Sequence, residues 1–374
     1  MPNPKAEAAA KMLGATPRIE TVQESDYLSL GIIPLNLAVH GRINGGVQKG
    51  RIYRLNGRPS GGKTFVARTI LAEACINPAF EGYQLVYDDV EEGALMDTEK
   101  FFGKQLVKRL QPPAWYAKSR RPYYSRFVTE CFNRIRKRME DGKRIIWIID
   151  SLDALRPDGD KTTKMTDNKA KVYSQEIRRL MDPVMATKSI IVLISQARAN
   201  MDAGPFDDED ITAGGRALDH YPSVDIRLRK QKSLRTPYKG VKFVTGSIIR
   251  AQVKKNRISG RDYTVFFPFY PTYGIDNIGA CVDYLFFMKH WKKVKEEKYD
   301  VLEVNVEDGD DENSSSDTGN SQVAAPEFGF KGTKQELIQH IESNELEQEL
   351  NVLTGKVWKE IEATITPERK PRYS

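Results

Sequence analysis

Short apolar runs alternate with amphipathic segments through the first half of the chain. Runs at 51–55, 83–87, 145–149 and 189–194 predict buried strands, because each is short and bounded by polar residues. Helices are predicted at 65–74, 125–140 and 172–187. In 125–140 the apolar residues Phe127, Cys131, Ile135 and Met139 recur at every fourth position. This order predicts an α/β fold with a mostly parallel central sheet flanked by helices.

The pattern changes after residue 220. Strands are predicted at 224–229, 243–254 and 262–267, antiparallel to one another and joined by turns at Lys239-Gly240 and Ser259-Gly260. Thr333 and Glu336 form a capping box, and Leu337 and Ile341 begin a helical spacing. We therefore expect antiparallel strands at one side of the sheet and a small C-terminal helical element.

Composition shifts suggest four segments. Residues 1–28 form an arm with a short helix over 4–13 that could dock on a neighbouring subunit, and 29–300 form the core. Residues 301–326 read as an acidic, disordered linker, and 327–374 as the C-terminal helical region.

The chain has 374 residues, of which 40% are hydrophobic and 29% charged, so most of it should fold. It contains no apolar run long enough to span a bilayer and no signal-peptide core, which predicts a soluble, cytoplasmic protein without a membrane partner. Cys75, Cys131 and Cys281 show no metal spacing and are expected to be reduced thiols.

The net charge of +7 is unevenly distributed. Basic residues crowd 104–144 and 227–261, and acidic residues crowd 207–210 and 303–312. An uneven charge distribution is expected of a protein with a polyanionic partner, and it is equally consistent with ordinary surface charge. Within 104–144 the aromatic residues Trp115, Tyr116, Tyr123 and Tyr124 could stack bases, whereas a solvated basic helix face is favoured for 125–140.

One stretch carries a phosphate-binding signature. The sequence matches G-x-x-x-x-G-K-[ST] between a predicted strand and a predicted helix, at Gly57, Arg58, Pro59, Ser60, Gly61, Gly62, Lys63 and Thr64. Glycines let backbone N–H groups turn towards a phosphate, and the helix N-terminus adds its positive dipole end. The motif predicts a nucleotide as ligand, with Lys63 on its β- and γ-phosphates and Thr64 on Mg²⁺.

Polar residues end three of the predicted strands. An acidic cluster at 88–92 follows one strand, Asp150 ends the next, and Gln196 ends a third. In open parallel sheets ligands bind at the carboxyl ends of the strands, so these residues are expected beside the phosphate loop. Asp150 would steady Mg²⁺ and Gln196 would reach the γ-phosphate or its water. A solvated acidic turn and a loop hydrogen bond are the plainer alternatives for 88–92 and Gln196.

Taken in order, these segments resemble the RecA-type recombinases, most closely the phage branch typified by UvsX. The lead-in 33–50, the stretch 89–93, the pair Asp150-Ser151, Gln196 and the segment 212–218 each match a family motif. The resemblance implies that Glu91 orients the attacking water and that Gln196 senses the γ-phosphate. It also implies that Lys255 and Arg257 reach the ATP of a neighbouring subunit, with Arg257 standing where lysine is usual.

The same resemblance implies a DNA-dependent ATPase that forms helical filaments on single-stranded DNA, with ATP at each subunit interface, and promotes pairing with double-stranded DNA. Two long loops, 156–171 and 197–213, would hold DNA. The residues expected at DNA are Lys161, Lys164, Lys169, Arg198, Gly214, Gly215 and Arg216. The acidic run 207–210 departs from this expectation. Loading or mediator proteins are possible partners, and a phage-encoded protein would act in the host cytoplasm.

Two alternatives stay open at this point. A ring-forming helicase motor shares the core class, although no helicase-type N-terminal domain is recognisable in the sequence. An ATP-bound filament or mediator protein without useful hydrolysis is the other, and the full set of nucleotide residues argues against it.

Overall fold

The computed structural model describes residues 22–157, 165–199, 210–212, 217–291, 322–366 and 369, with side chains described at all of these except 165–168, 198–199, 210–212 and 217. Several predicted features lie outside the described residues. They are the helix over 4–13, most of the acidic linker, Lys161, Lys164, Gly214, Gly215 and Arg216.

The strands of the described ranges follow one another as β1 (Tyr27–Leu28), β2 (Val47–Gln48), β3 (Arg51–Gly57), β4 (Gln84–Asp89), β5 (Leu110–Gln111), β6 (Ala114–Trp115), β7 (Pro122–Tyr123), β8 (Ile145–Asp150), β9 (Ile190–Ala199), β10 (Asp210–Thr212), β11 (Val224–Tyr238), β12 (Val241–Asn256), β13 (Thr264–Tyr270), β14 (Gly274–Ile275), β15 (Val323–Ala325) and β16 (Phe330–Gly332).

The helices of the same ranges are α1 (Ile33–His40), α2 (Lys63–Ile76), α3 (Thr98–Arg109), α4 (Val128–Glu140), α5 (Met165–Thr187), α6 (Ala217–His220), α7 (Asn277–Phe287), α8 (Lys334–Ser343) and α9 (Glu347–Ile365). Short 3₁₀ turns occur at Glu24–Asp26, Pro78–Phe80, Leu152–Ala154 and Pro326–Phe328.

A single mixed sheet organises the core. Its strand order is β14-β13-β12-β11-β3-β9-β8-β4-β5, and β10 pairs with β9 outside this path. Neighbouring strands are parallel from β11 to β5 and antiparallel from β11 to β14. The prediction of an α/β core with antiparallel strands at one side is confirmed.

The register of the parallel strands brings their carboxyl ends together. Gly57 of β3 pairs with Gln196 of β9, and Asp89 of β4 pairs with Asp150 of β8. The four residues therefore lie along the side of the sheet where the parallel strands end, which we call its carboxyl edge. Ligands bind at this edge in folds of this kind.

Both faces of the sheet are buried, as expected of parallel strands. Alternate residues of β8 point to opposite faces. Ile146 and Ile148 belong to a cluster that includes residues of α1, α2 and α7, whereas Ile145, Trp147 and Ile149 pack with residues of α4 and α5. Each large side chain fully buried in this way contributes about 1.5–3 kcal/mol, so the two layers hold the carboxyl edge rigidly.

The C-terminal helices pack on the same core. Leu337 of α8 and Leu350 of α9 are fully buried, and the Trp358 ring of α9 stacks on Tyr284 of α7 with 5.6 Å between ring centroids. Arg261, which follows β12, donates to Glu362 through two nitrogens. These contacts fix the C-terminal element against α7.

The boundaries predicted for two loops and the linker are wrong. Helix α5 begins at Met165, so the loop predicted over 156–171 is helical from residue 165 onwards; packing of Tyr173 and Ile177 stabilises a polar turn that lacks apolar spacing of its own. Strand β9 continues to Ala199 and pairs with β10, inside the loop predicted over 197–213. Strand β15 lies inside the predicted linker over 301–326, because it pairs with β16.

Within the described ranges, none of the helices combines the length and hydropathy that crossing a bilayer requires.

Candidate functional site

The loop between β3 and α2 is closely packed against the backbone of β11. A Cβ atom at Gly57 would lie 2.0 Å from the carbonyl oxygen of Leu228, and one at Gly61 would lie 2.7 Å from the same atom. Gly57 also has a φ of 145° and Gly62 a φ of 81°, which side chains rarely adopt. Glycine at these positions lets the loop close, with its N–H groups available to an anion.

Lys63 opens helix α2 and is buried. Its Nζ donates to the carbonyl oxygens of Gly57 and Arg58, at 2.8 Å in each case. Burial lowers the pKa of Lys63, and the nearby carboxylates of Asp150, Asp153 and Glu91 oppose that shift. The ammonium group thus lies inside the loop, at the position where it would meet a phosphate.

Thr64 and Asp150 meet at the same edge. The Thr64 hydroxyl donates to Oδ2 of Asp150 at 2.7 Å, and the Tyr87 hydroxyl donates to the same oxygen at 2.6 Å. Burial raises the pKa of Asp150, whereas these two hydroxyl donors lower it. The predicted pair of Mg²⁺ ligands is brought together, and Tyr87 fixes the orientation of the carboxylate.

Glu91 lies on the loop after β4 and contacts two further strand ends. Its Oε1 accepts from the Ser151 hydroxyl at 2.5 Å and from Nε2 of Gln196 at 3.1 Å. The Gln196 backbone N–H donates to Asp153. A carboxylate and an amide are therefore in direct contact beside the phosphate loop.

Asp89 shapes the loop that carries Glu91. Its two carboxylate oxygens accept from the backbone N–H groups of Gly93 and Ala94, at 3.2 and 3.0 Å. The Arg68 guanidinium group, which donates to the Ala94 carbonyl, lies 4.4 Å from the centroid of the Tyr87 ring. Contacts at Gly93 and Ala94 thereby attach the loop to both α2 and β4.

These residues fit ATP and Mg²⁺. The glycine-lined loop and the buried Lys63 ammonium suit a triphosphate, and Arg58, Pro59 and Ser60 form its exposed rim. Within the described part of the chain no cluster of three or more metal-ligating side chains occurs. Mg²⁺ bound beside a nucleotide needs few protein ligands because water and phosphate oxygens supply the others, so Thr64 and Asp150 would hold it.

Lys255 and Arg257 lie away from this loop. Lys255 of β12 pairs with Asp225 of β11, which pairs with Arg54 of β3, three residues before Gly57. At about 3.3 Å per residue, Lys255 is displaced about 10 Å towards the opposite edge of the sheet, in addition to two strand spacings across it. Neither residue is placed to serve the phosphate loop of its own chain.

A partly buried ionic network lies beside Lys255. Its Nζ donates to the backbone carbonyl oxygens of Asp219 and His220 in α6. Arg54 is buried and donates to the carboxylates of Asp219 and Asp225. Burial, and then the charge of Arg257, lower the pKa of Lys255 to about 8.

The expected DNA-binding residues are placed only in part. Lys169 lies on α5, where its Nζ donates to the carbonyl oxygen of Asp153 at 2.7 Å. Arg198 lies on β9 opposite Ile211 of β10, and its side chain is not described. The other five expected residues lie outside the described ranges, so the DNA contacts stay a prediction.

Sequence reasoning missed Tyr87, Asp153 and the Arg54–Asp225 pair. Arg54 carries a signal that could have been used, since it is a charged residue within an apolar strand run and needs a buried partner. The Tyr87 hydroxyl had a weaker signal, as an aromatic residue two positions before Asp89 at a strand end. Asp153 had none, because its contact with Gln196 joins residues far apart in the chain.

Comparison with known proteins places this geometry in context. The family model described as the RecA N-terminal domain matches residues 133–275, a stretch that contains Asp150, Gln196, Lys255 and Arg257 and begins after the phosphate loop. Protein RecA of Paramagnetospirillum magneticum is 28% identical over 270 residues, covering 71% of this chain and 68% of that protein. Over these residues the chain is therefore similar to RecA proteins.

Two further relatives are also RecA proteins. Protein RecA of Nitratiruptor sp. is 27% identical over 269 residues, covering 70% of this chain and 71% of that protein. The plasmid protein RecA of Lactococcus lactis subsp. lactis is 30% identical over 216 residues, covering 57% of each. Both are again similarities to RecA proteins.

Proposed function

We propose that this chain is a DNA-dependent ATPase of the UvsX-like branch of RecA-type recombinases, which assembles as a helical filament on single-stranded DNA and promotes strand exchange. In this proposal residues 29–300 form the ATPase and DNA-binding core. Residues 1–28 dock on a neighbouring subunit, and 301–326 and 327–374 are the accessory segments.

The observation that carries the proposal is the contact between Glu91 and Gln196. Glu91 lies beside the phosphate loop, and Gln196 lies on β9, which leads directly into the segment expected to hold DNA. A change at the nucleotide that moves the Gln196 amide therefore acts on the start of that segment. This supports coupling between nucleotide state and the grip on a DNA strand.

The chemical roles follow from the side chains. Glu91 orients the attacking water, with Ser151 and Gln196 holding its carboxylate in position. Lys63 neutralises charge on the phosphates, and Thr64 and Asp150 hold Mg²⁺. When bound, Mg²⁺ would supply further positive charge at the phosphate oxygens.

The placement of Lys255 and Arg257 supports an active site shared between subunits. Lys255 lies two strands across the sheet from β3 and is displaced from the carboxyl edge, and Arg257 follows the end of the same strand. Cations supplied across an interface stabilise the charge that develops during phosphoryl transfer, as an arginine finger does. Filament assembly would then be a condition of hydrolysis.

The test is ATP hydrolysis with and without single-stranded DNA. We expect the wild-type rate to rise with DNA, and Lys63→Ala and Lys255→Ala each to lose the stimulated activity. Mixing the two variants should restore part of it, because some interfaces then combine an intact Lys63 with an intact Lys255. A Lys104→Ala variant, changed at an exposed position on α3, is the matched control.

An ATPase rate that DNA does not change would contradict the proposed function. A mixture no more active than its components would contradict the shared site, provided that both variants bind DNA.

A further inference from the structure

The hairpin formed by β11 and β12 extends well beyond the sheet. Strand β11 pairs with β3 only over 224–227, and β12 pairs with β13 only over 247–252. Residues 235–244 therefore pair with one another alone, and 230–234 pair only with β12. All of these residues except Ser233 and Leu234 are exposed. We call residues 230–244 the arm.

The arm rises from the edge of the sheet that carries the nucleotide site. The backbone of Leu228 contacts the phosphate loop, and β11 runs parallel to β3. Tyr238 lies ten residues beyond Leu228 along the strand, so the strand reaches roughly 33 Å beyond that contact at 3.3 Å per residue. Strand β9 is parallel to β3 and points to the same edge, so the arm and the end of β9 lie on one side of the sheet.

The charge of the arm is entirely basic. Residues 226–261 contain no Asp or Glu and 12 Lys or Arg residues. Five of these lie within the exposed arm, namely Lys230, Lys232, Arg235, Lys239 and Lys242. An uninterrupted positive surface of this kind is complementary to a polyanion.

The end of the arm also exposes apolar side chains. Tyr238 is 64% exposed, Val241 56% and Phe243 50%. The pairings Tyr238 with Val241 and Thr236 with Phe243 place these side chains on one face of the ribbon, and Arg235 and Lys242 on the other. One face of the ribbon therefore offers exposed apolar side chains to a partner, and the other offers basic ones.

We propose that the arm binds a DNA duplex, with its ribbon in a groove and its apolar end against the base pairs. A two-stranded ribbon fits the major groove, and basic arms with apolar tips also open the minor groove. A groove encloses both faces of the ribbon, whereas a single strand stacked on Tyr238 and Phe243 leaves the opposite basic face unused. The proposal extends the proposed function by giving the duplex a surface separate from the loops.

The first test neutralises charge on the arm. Its variant combines Lys232→Gln, Arg235→Gln and Lys242→Gln, and the matched control combines Lys104→Gln, Lys137→Gln and Lys356→Gln, whose side chains are exposed on three other helices. Binding of a short labelled duplex and of the matching single strand is measured by fluorescence anisotropy at several salt concentrations, without nucleotide. Thermal unfolding of each variant checks that it is folded.

We expect the dependence of log K on log salt for the duplex to become shallower by roughly 3, because each lost phosphate contact removes about 0.9. The control variant should keep the wild-type slope. A second variant, Tyr238→Ser with Phe243→Ser, should weaken duplex binding without changing the slope, since it removes no charge.

Equal losses for duplex and single strand would overturn the assignment to a duplex. An unchanged duplex slope in the folded charge variant would overturn the arm as a DNA surface and point to a protein contact instead. These readouts need no ATP hydrolysis. If DNA did not change the ATPase rate of the wild-type protein, the proposed function would be contradicted. The binding measurements with duplex would still test whether the arm binds DNA.

Discussion

The Tyr87 hydroxyl is expected to control the ionisation of Asp150. Tyr87→Phe removes this donor and keeps the ring, which is 3% exposed and stacked beside Arg68. A hydrogen bond to a charged group contributes about 1.5–3 kcal/mol, and one between neutral groups about 0.5–1.5 kcal/mol. The destabilisation should therefore be about 1.5–3 kcal/mol where Asp150 is ionised and about 0.5–1.5 kcal/mol where it is protonated.

The sign of the pH dependence follows from the direction of the pKa shift. Because burial raises the native pKa of Asp150 above its unfolded value, the native protein binds more protons between these two pKa values, and stability falls as pH rises through that interval. Loss of the Tyr87 hydroxyl raises the native pKa further and extends the interval upwards. The free-energy difference between wild type and variant should thus grow as pH rises from acid to neutral.

Urea unfolding at a series of pH values measures this difference. The matched control is Tyr83→Phe, because the Tyr83 hydroxyl donates to the uncharged carbonyl of Lys188 at 2.9 Å and its ring is 5% exposed. Its destabilisation should be the same at every pH. If Tyr87→Phe behaved like this control, the assignment of Asp150 as the group held by Tyr87 would be refuted.

Three further results are expected. Gly57→Ala should cost about 2 kcal/mol or more of unfolding free energy, since its Cβ would meet the Leu228 carbonyl, whereas Gly82→Ala, with open space around it, should stay within about 0.5 kcal/mol by urea unfolding. Glu91→Gln should slow hydrolysis in a single-turnover assay while a fluorescent ATP analogue still binds. In the unassembled chain an amine reagent should label Lys255 half-maximally near pH 8, and labelling that persists after assembly with ATP and DNA would argue against a shared site.

The sequence was most informative where chemistry and local pattern coincide. The phosphate loop needs glycine at fixed spacing, and buried strands such as β8 are continuous apolar runs, so both could be placed from local pattern. The proximity of Gly57 to Gln196 could also be anticipated, because the carboxyl ends of parallel strands lie at the same edge of the sheet.

Features that depend on distant partners could not be predicted in this way. The Arg54 contacts with Asp219 and Asp225 join residues more than 160 positions apart. The first turns of α5 lack apolar spacing and are helical because the turns that follow are packed. At the hairpin the predicted strand 224–229 ended too early and the predicted strand 243–254 began too late, because the exposed arm has no buried face to produce an alternating pattern.

The ammonium groups of Lys63 and Lys255 share one property. In the lone subunit each is satisfied by two backbone carbonyl oxygens, which carry no net charge. A phosphate that displaces them exchanges neutral acceptors for an anionic one, which attracts the ammonium group more strongly. In the isolated protein both ammonium groups are therefore already hydrogen-bonded to the main chain. The nucleotide at Lys63, and the neighbouring subunit at Lys255, have to displace these hydrogen bonds.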